Sequence, residues 1–238
     1  MFPLQTIGAG WDGLFDANHA LLETISTQVE KHPYLPAAPL VFRFARIPLS
    51  QVRVVILGQD PYPQPGAATG RSFEVAGLHS WAEPFRQSSL RNLLRAIYAA
   101  ETGELLPWKD IRTRIADGRF RILPPDRLWD SLESQGVLFL NAYLTVEPGK
   151  PGSHRALWQE FARRTLRYID GACPGTDFFL WGADARSFAP QIIHGRCWES
   201  RHPMMTGPWE DDFLKNPCFR ETNGKICWRG FPSDQCGR

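Results

Sequence analysis

No Cys-x-x-Cys pair occurs in this chain, and its five cysteines, Cys173, Cys197, Cys218, Cys227 and Cys236, are odd in number and widely spaced. That argues against a disulfide framework and against a zinc or iron–sulfur site. No apolar stretch is long enough to span a bilayer, and no basic segment followed by an apolar one opens the chain. The expectation is a soluble, cytoplasmic protein in a reducing setting, without membrane contact. An excess of charge is missing too. The net charge is +2, so only a local patch could speak for nucleic acid.

What is present suits an ordered α/β protein. The 238 residues are 43% hydrophobic, enough for one domain or at most two small ones. Nine Trp and twenty Pro fit a compact chain with ordered loops better than a disordered one. Gly8-Ala9-Gly10-Trp11-Asp12-Gly13 is a literal G-x-G-x-x-G. It is rejected as a dinucleotide site, because a short segment with Pro3 and Gln5 precedes it in place of a strand.

The most informative stretch is residues 52–73. Val52 to Leu57 is an apolar, β-branched run that reads as a buried strand. It breaks at Gly58 into a polar, proline-rich loop, which puts Gln59, Asp60 and Tyr62 at the strand's carboxyl end. Ligands of open α/β sheets bind outside that edge. Asp-Pro and Pro-Gly are also ordinary turn formers, so a plain turn stands beside the functional reading.

Along the rest of the chain, residues 14–31 carry Leu14, Leu21, Leu22, Ile25 and Val29 at helical spacing. A proline-rich connector, His32 to Phe42, precedes the first strand. After an irregular stretch over 74–89, the spacing of Leu90, Leu93, Leu94 and Ile97 predicts a helix, with Ser88 or Ser89 as its N-cap. Residues 105–125 hold Lys109, Arg112, Arg114, Arg119 and Arg121, readable as a solvated basic face or as a phosphate-contacting patch. Val137–Leu140 reads as a second strand ending at Asn141, and Arg155–Ile169 as a helix. Phe178–Trp181 is a third strand ending at Gly182, and residues 197–200 a short fourth one before His202-Pro203. Met204 to Arg220 is loop-like, and no strong period follows Asn223.

Helices alternating with buried strands predict a single α/β domain over residues 1–238, with a central, mostly parallel four-stranded sheet flanked by helices. Asp60, Asn141 and His202 each lie just past a strand end. A parallel sheet shares that edge, so an acid, an amide and an imidazole are expected in one crevice. Each taken singly is as well read as a turn or surface residue.

Several segments resemble family 1 uracil-DNA glycosylases. Val54-Val55-Ile56-Leu57-Gly58-Gln59-Asp60-Pro61-Tyr62, with Gly70 and Phe73, is similar to the family's water-activating loop. Leu138-Phe139-Leu140-Asn141-Ala142-Tyr143-Leu144-Thr145-Val146, followed by Ser153-His154, resembles its second motif. Phe179-Leu180-Trp181-Gly182 resembles the strand before its third loop, and His202-Pro203 stands where it has its catalytic histidine. The resemblance implies hydrolysis of the N-glycosidic bond of a flipped-out pyrimidine in single- or double-stranded DNA, by a monomer without metal or cofactor. It implies that Asp60 orients water and stabilises the cationic sugar, and that His202 hydrogen-bonds O2 of the leaving base. Phe73 would stack on the base, Asn141 read its N3 and O4 edge, Tyr62 exclude a C5 methyl, and Gln59 offer its backbone N–H. Ser88 or Ser89 and the Gly182 loop would hold phosphates.

Four departures accompany the match. Pro63 follows Tyr62 where the family has His, and Ala183 follows Gly182 where it has Ser. Met204-Met205-Thr206 stands where the family has Ser-Pro-Leu, its wedge into the duplex; Met205 is an apolar substitute, while Thr206 occupies the aligned position. Residues 105–125 read as an insertion. Three functions follow: a uracil-DNA glycosylase of base-excision repair, a relative excising a modified pyrimidine from phage DNA in antiviral defence, or a non-catalytic DNA- or protein-binding descendant.

Overall fold

The computed structural model describes residues 2–3 and 7–236; the outer ends of the 1–238 range lie outside the described residues. Four strands form one sheet, β1 (Val54–Gly58), β2 (Val137–Asn141), β3 (Asp177–Trp181) and β4 (Arg196–Ser200). Their order is β2-β1-β3-β4 and every pairing is parallel. All residues of β1, β2 and β3 are buried, which is why these segments read as unbroken apolar runs.

Alternate residues feed two layers. Val55, Leu57, Leu138, Leu140, Phe178 and Leu180 pack with helices α1 (Asp12–Ala17), α2 (His19–Val29) and α6 (Arg155–Ala172). Val54, Ile56, Val137, Phe139, Phe179 and Trp181 face α3 (Ser88–Thr102), α4 (Trp108–Ala116), α5 (Pro125–Ser134) and α8 (Cys218–Thr222). The short α7 (Ala183–Arg186) follows β3, and α9 (Ser233–Cys236) ends the described chain.

Three local expectations are corrected, and a fourth segment gains its detail. The helix expected over 14–31 divides at Asn18, whose amide donates to the Leu14 carbonyl at 2.7 Å and accepts from Arg164 of α6 at 3.0 Å. A tertiary contact thus overrides a continuous periodic pattern. Ser88 and Ser89 are the first helical residues of α3; Gln87 precedes them and makes no side-chain cap bond. The basic stretch 105–125 contains α4, turned inward through Ile111, and α5 begins at Pro125. Cys227 and Cys236 form a disulfide. Sequence spacing hid it, because the turn of the chain through α9 is what brings the two side chains together.

Candidate active site

Gly58 and Asn141 are paired neighbours at the carboxyl edge of β1 and β2. The chain continues this pairing past the sheet: Ala142 N–H donates to Gly58 O, and Tyr143 N–H to Gln59 O, both at 2.9 Å. A Cβ on Gly58 would stand 2.5 Å from the Asn141 amide oxygen and 2.7 Å from Ser72 Cβ, so only glycine fits here. The Asn141 side chain is buried, and among the described residues nothing hydrogen-bonds its amide. An amide at the sheet edge that no protein group engages is free to pair with a ligand.

Asp60 sits one step further along the loop and is half-buried. Its carboxylate accepts the Gly152 N–H. Burial holds its proton affinity above the ordinary aspartate range, and the nearby Asp184 charge acts the same way. The Gly152 N–H, the Gln59 side chain and the Arg155 charge oppose them. The loop around Asp60 is braced by Gly149 N–H donating to Pro63 O at 2.9 Å. Tyr62 is mostly shielded; burial pushes its phenol up to about 12, and its buried hydroxyl has no hydrogen-bond partner among the described residues.

Phe73 has a φ of 62°, and no other non-glycine residue among those described has a positive φ. Such a conformation costs of order 1–3 kcal/mol and persists only where the surroundings enforce it. Two neighbours do so here. Ser72 Oγ donates to Ile56 O of β1 at 3.0 Å. The buried Arg71 guanidinium is held by Glu74 at 3.1 Å, Asp130 at 2.6 Å and Glu133. The Phe73 ring lies 6.3 Å from the His202 ring, nearly parallel at 28°, and 5.6 Å edge-on from Trp181.

The His202 Nδ1 accepts the Met204 N–H at 3.1 Å. Burial lowers the imidazole pKa, with Asp184 acting against it, so the neutral ring carries its proton on Nε2. Gly182 packs beneath the ring: its φ is +93°, and a Cβ there would lie 3.0 Å from His202 Cβ. Asp60, Asn141, Phe73 and His202 therefore gather at one sheet edge, as the strand ends predict. Gln59 and Tyr62 flank them.

The sequence profile of the Uracil DNA glycosylase superfamily matches residues 44–225. The chain belongs to this superfamily. A uracil-DNA glycosylase from Parafrankia sp. is 36% identical over 200 residues, covering 80% of this chain and 75% of that protein. One from Thermobifida fusca is 38% identical over 193 residues, covering 80% and 75%. The crystal structure of wild-type UNG from Nitratifractor salsuginis superposes with a TM-score of 0.69, 22% identity and coverage of 95% of this chain and 93% of that one. At that identity the likeness concerns the fold.

The remaining expected residues lie in the first turn of α3 and in the loop after His202. Ser88 is half-buried and Ser89 buried in the first turn of α3. Met204 and Met205 are exposed, at 63% and 50%, on a turn closed by Met205 N–H donating to His202 O at 2.7 Å; Thr206 is less exposed. Side chains at this exposure are free to enter a partner. Among the described residues, no cluster could hold a metal ion and no helix is long and apolar enough to cross a membrane.

Sequence reasoning missed three supports of this site. Asn92 of α3 donates to Pro203 O at 2.6 Å and so anchors the His202 loop. Arg71 pins the Phe73 loop. The Asp184 charge of α7 raises the proton affinity of both Asp60 and His202. Asn92 lies inside an amphipathic helix pattern, and nothing in its neighbourhood marks it. The run Arg71 to Glu74 did carry a signal, since charged residues beside a buried aromatic must find partners.

Proposed function

We propose that this superfamily member excises uracil from DNA by hydrolysing the N-glycosidic bond, leaving an abasic site for base-excision repair. The base turns out of the stack into the crevice. Phe73 stacks on it; base–aromatic stacking is worth about 1–3 kcal/mol. Neutral His202 donates Nε2–H to O2 as negative charge develops there; such a preorganised donor typically supplies about 2.7–4 kcal/mol. Asp60 orients the attacking water and stabilises the oxocarbenium-like sugar. Tyr62 stands beside C5 and bars a methyl group, and the Gln59 backbone N–H binds the base. Ser88, Ser89 and the Gly182 loop hold phosphates, and Met205 fills the gap the base leaves. Residues 105–125, with α4, are an addition to the family frame. The protein works as a monomer inside the cell, without metal or cofactor.

Asn141 is the observation that carries this reading. Its amide has no hydrogen-bond partner among the described residues, and it offers one donor and one acceptor side by side. Uracil presents the complement, O4 and N3–H. A fixed amide meets cytosine with like groups opposed, and mispaired buried groups discriminate strongly.

Base release from single-stranded oligonucleotides bearing uracil, cytosine or a C5-modified pyrimidine tests it, with Asp60→Asn as control. Uracil release that Asp60→Asn abolishes is the expected result. Silence on uracil with release of a modified base would overturn the uracil assignment. Release of nothing, with DNA binding intact, would favour a non-catalytic binder.

A further inference from the structure

The turn that clamps Asp60 also presents a cation. Gly152 donates its N–H to the Asp60 carboxylate, and Arg155 N–H in turn donates to Gly152 O at 3.1 Å. Arg155 opens α6, and its guanidinium is held on two sides. It forms an ion pair with Asp184 of α7, and it lies 5.5 Å from the centroid of the Tyr143 ring, in cation–π contact. The Tyr143 hydroxyl reaches the same Asp184 oxygen at 3.4 Å. Tyr143 is itself fixed by its backbone bond to Gln59. The Arg155 side chain nevertheless remains 50% exposed, whereas Asp184 is 23% exposed. A guanidinium has five donors in a rigid fork, and one carboxylate does not use them all.

The position decides what the free donors meet. The Arg155 charge is close enough to Asp60 to favour its ionised form. The sugar that reacts over Asp60 carries a phosphodiester on each side. Ala183, next to Asp184, offers no side-chain donor to it. Asp184 by itself would repel a phosphate there. Its pairing with Arg155 removes that repulsion and fixes the guanidinium in one orientation.

We propose that Arg155 is a DNA-phosphate ligand at the mouth of the site, preorganised by Asp184 and the Tyr143 ring. This rests on the reading of the crevice as a DNA glycosylase's. The fork binds a phosphodiester flanking the flipped nucleotide while keeping its hold on Asp184. Arg155 is a binding residue and takes no part in bond breaking.

The test is the salt dependence of binding to a duplex carrying an abasic site, for wild type, Arg155→Gln, Arg155→Lys and the double variant Arg155→Gln/Asp184→Asn. Each lost phosphate contact lowers the slope of log K against log salt by about 0.9. Between about 50 and 200 mM salt the affinity gap between wild type and Arg155→Gln therefore narrows about 3.5-fold, the fourfold range raised to the power 0.9. Arg155→Lys keeps the wild-type slope and the double variant keeps the reduced one. A double variant restored to the wild-type slope would mean that Arg155 only neutralises Asp184, and would overturn the proposal. An Arg155→Lys slope reduced like that of Arg155→Gln would also overturn it, because a positive charge suffices for counterion release. Uracil release is scored separately on wild type. Its failure would strike the function reading and leave the binding slopes to decide this one.

Discussion

The backbone N–H of Met204 and Nδ1 of His202 lie 3.1 Å apart, donor to acceptor. That bond leaves the His202 proton on Nε2, and burial keeps the ring from gaining a second one at neutral pH. The nitrogen NMR signature of His202 is expected to be that of the neutral Nε2–H tautomer from pH 7 upward. An imidazolium signal at pH 7 would contradict it. His202→Gln is expected to lower kcat by about 10²–10³, the usual cost of losing one such donor.

Asp60 is expected to set the acid limb of kcat/KM, above the ordinary aspartate pKa of about 3.9. The charged groups near it are the Asp184 carboxylate and the Arg155 guanidinium, and the Gly152 N–H donates to it. Asp184→Asn removes a like charge and should move the limb to lower pH. Arg155→Gln removes an opposite charge and should move it up. Shifts in the reversed sense would show that another group titrates there.

A raised folded pKa also has a consequence for stability. The ionised Asp60 is disfavoured in the fold, so its contribution is most favourable below the unfolded pKa and is lost as pH rises through the folded one. Asp60→Asn should therefore abolish base release yet raise Tm at pH 7. The gain should shrink when melting is repeated below the aspartate range. A lower Tm at pH 7 would mean that the Gly152 hydrogen bond outweighs the burial of charge.

Arg71 is a buried cation held among Glu74, Asp130 and Glu133, behind the strained Phe73. Arg71→Leu strands the two shielded glutamates. Removing one partner of a buried ion pair typically costs about 3–5 kcal/mol. Thermal or urea unfolding should show that loss, and KM should rise as Phe73 leaves its fixed orientation. Unchanged stability would mean that the carboxylates simply take up protons or water.

Asp170 supports the site from further away. Its carboxylate accepts the N–H groups of Ile193, His194 and Gly195, at 2.7–3.1 Å, in the turn that leads into β4. Burial raises its pKa, but those three bonds win and the net shift is downward. Its stabilisation is thus present above the unfolded pKa and lost as pH falls through the folded one. Asp170→Asn is expected to cost about 1.5–3 kcal/mol at pH 7, the worth of a charged hydrogen bond. The wild-type and variant unfolding curves should converge in acid. A gap independent of pH would assign the effect to packing instead.

Much of the site was legible because strand ends are legible. Val52–Leu57, Val137–Leu140 and Phe178–Trp181 are apolar runs that stop abruptly; Asn141 follows its stop directly and Asp60 comes three residues after Leu57. His202 was harder, because β4 is an edge strand with only Trp198 and Ser200 buried. Ser88 and Ser89 read as caps yet lie in the first helical turn, because the residue types that mark a cap also suit that turn. The Cys227–Cys236 disulfide is not legible in the sequence, because the chain path between the two residues leaves no periodic trace.

The sequence by itself determined the α/β class, the order of strands and helices, and the set of polar residues at one sheet edge. These are written in local apolar patterning, which depends on near neighbours alone. Only the tertiary structure decided the electrostatics of the crevice. Arg71 met Glu133, Asn92 met Pro203, and Arg155 met Asp184 across separations of 62, 111 and 29 residues (the last 184 − 155). Ion pairs and hydrogen bonds act over a few ångströms in space, and no spacing along a chain encodes which distant groups folding will bring that close.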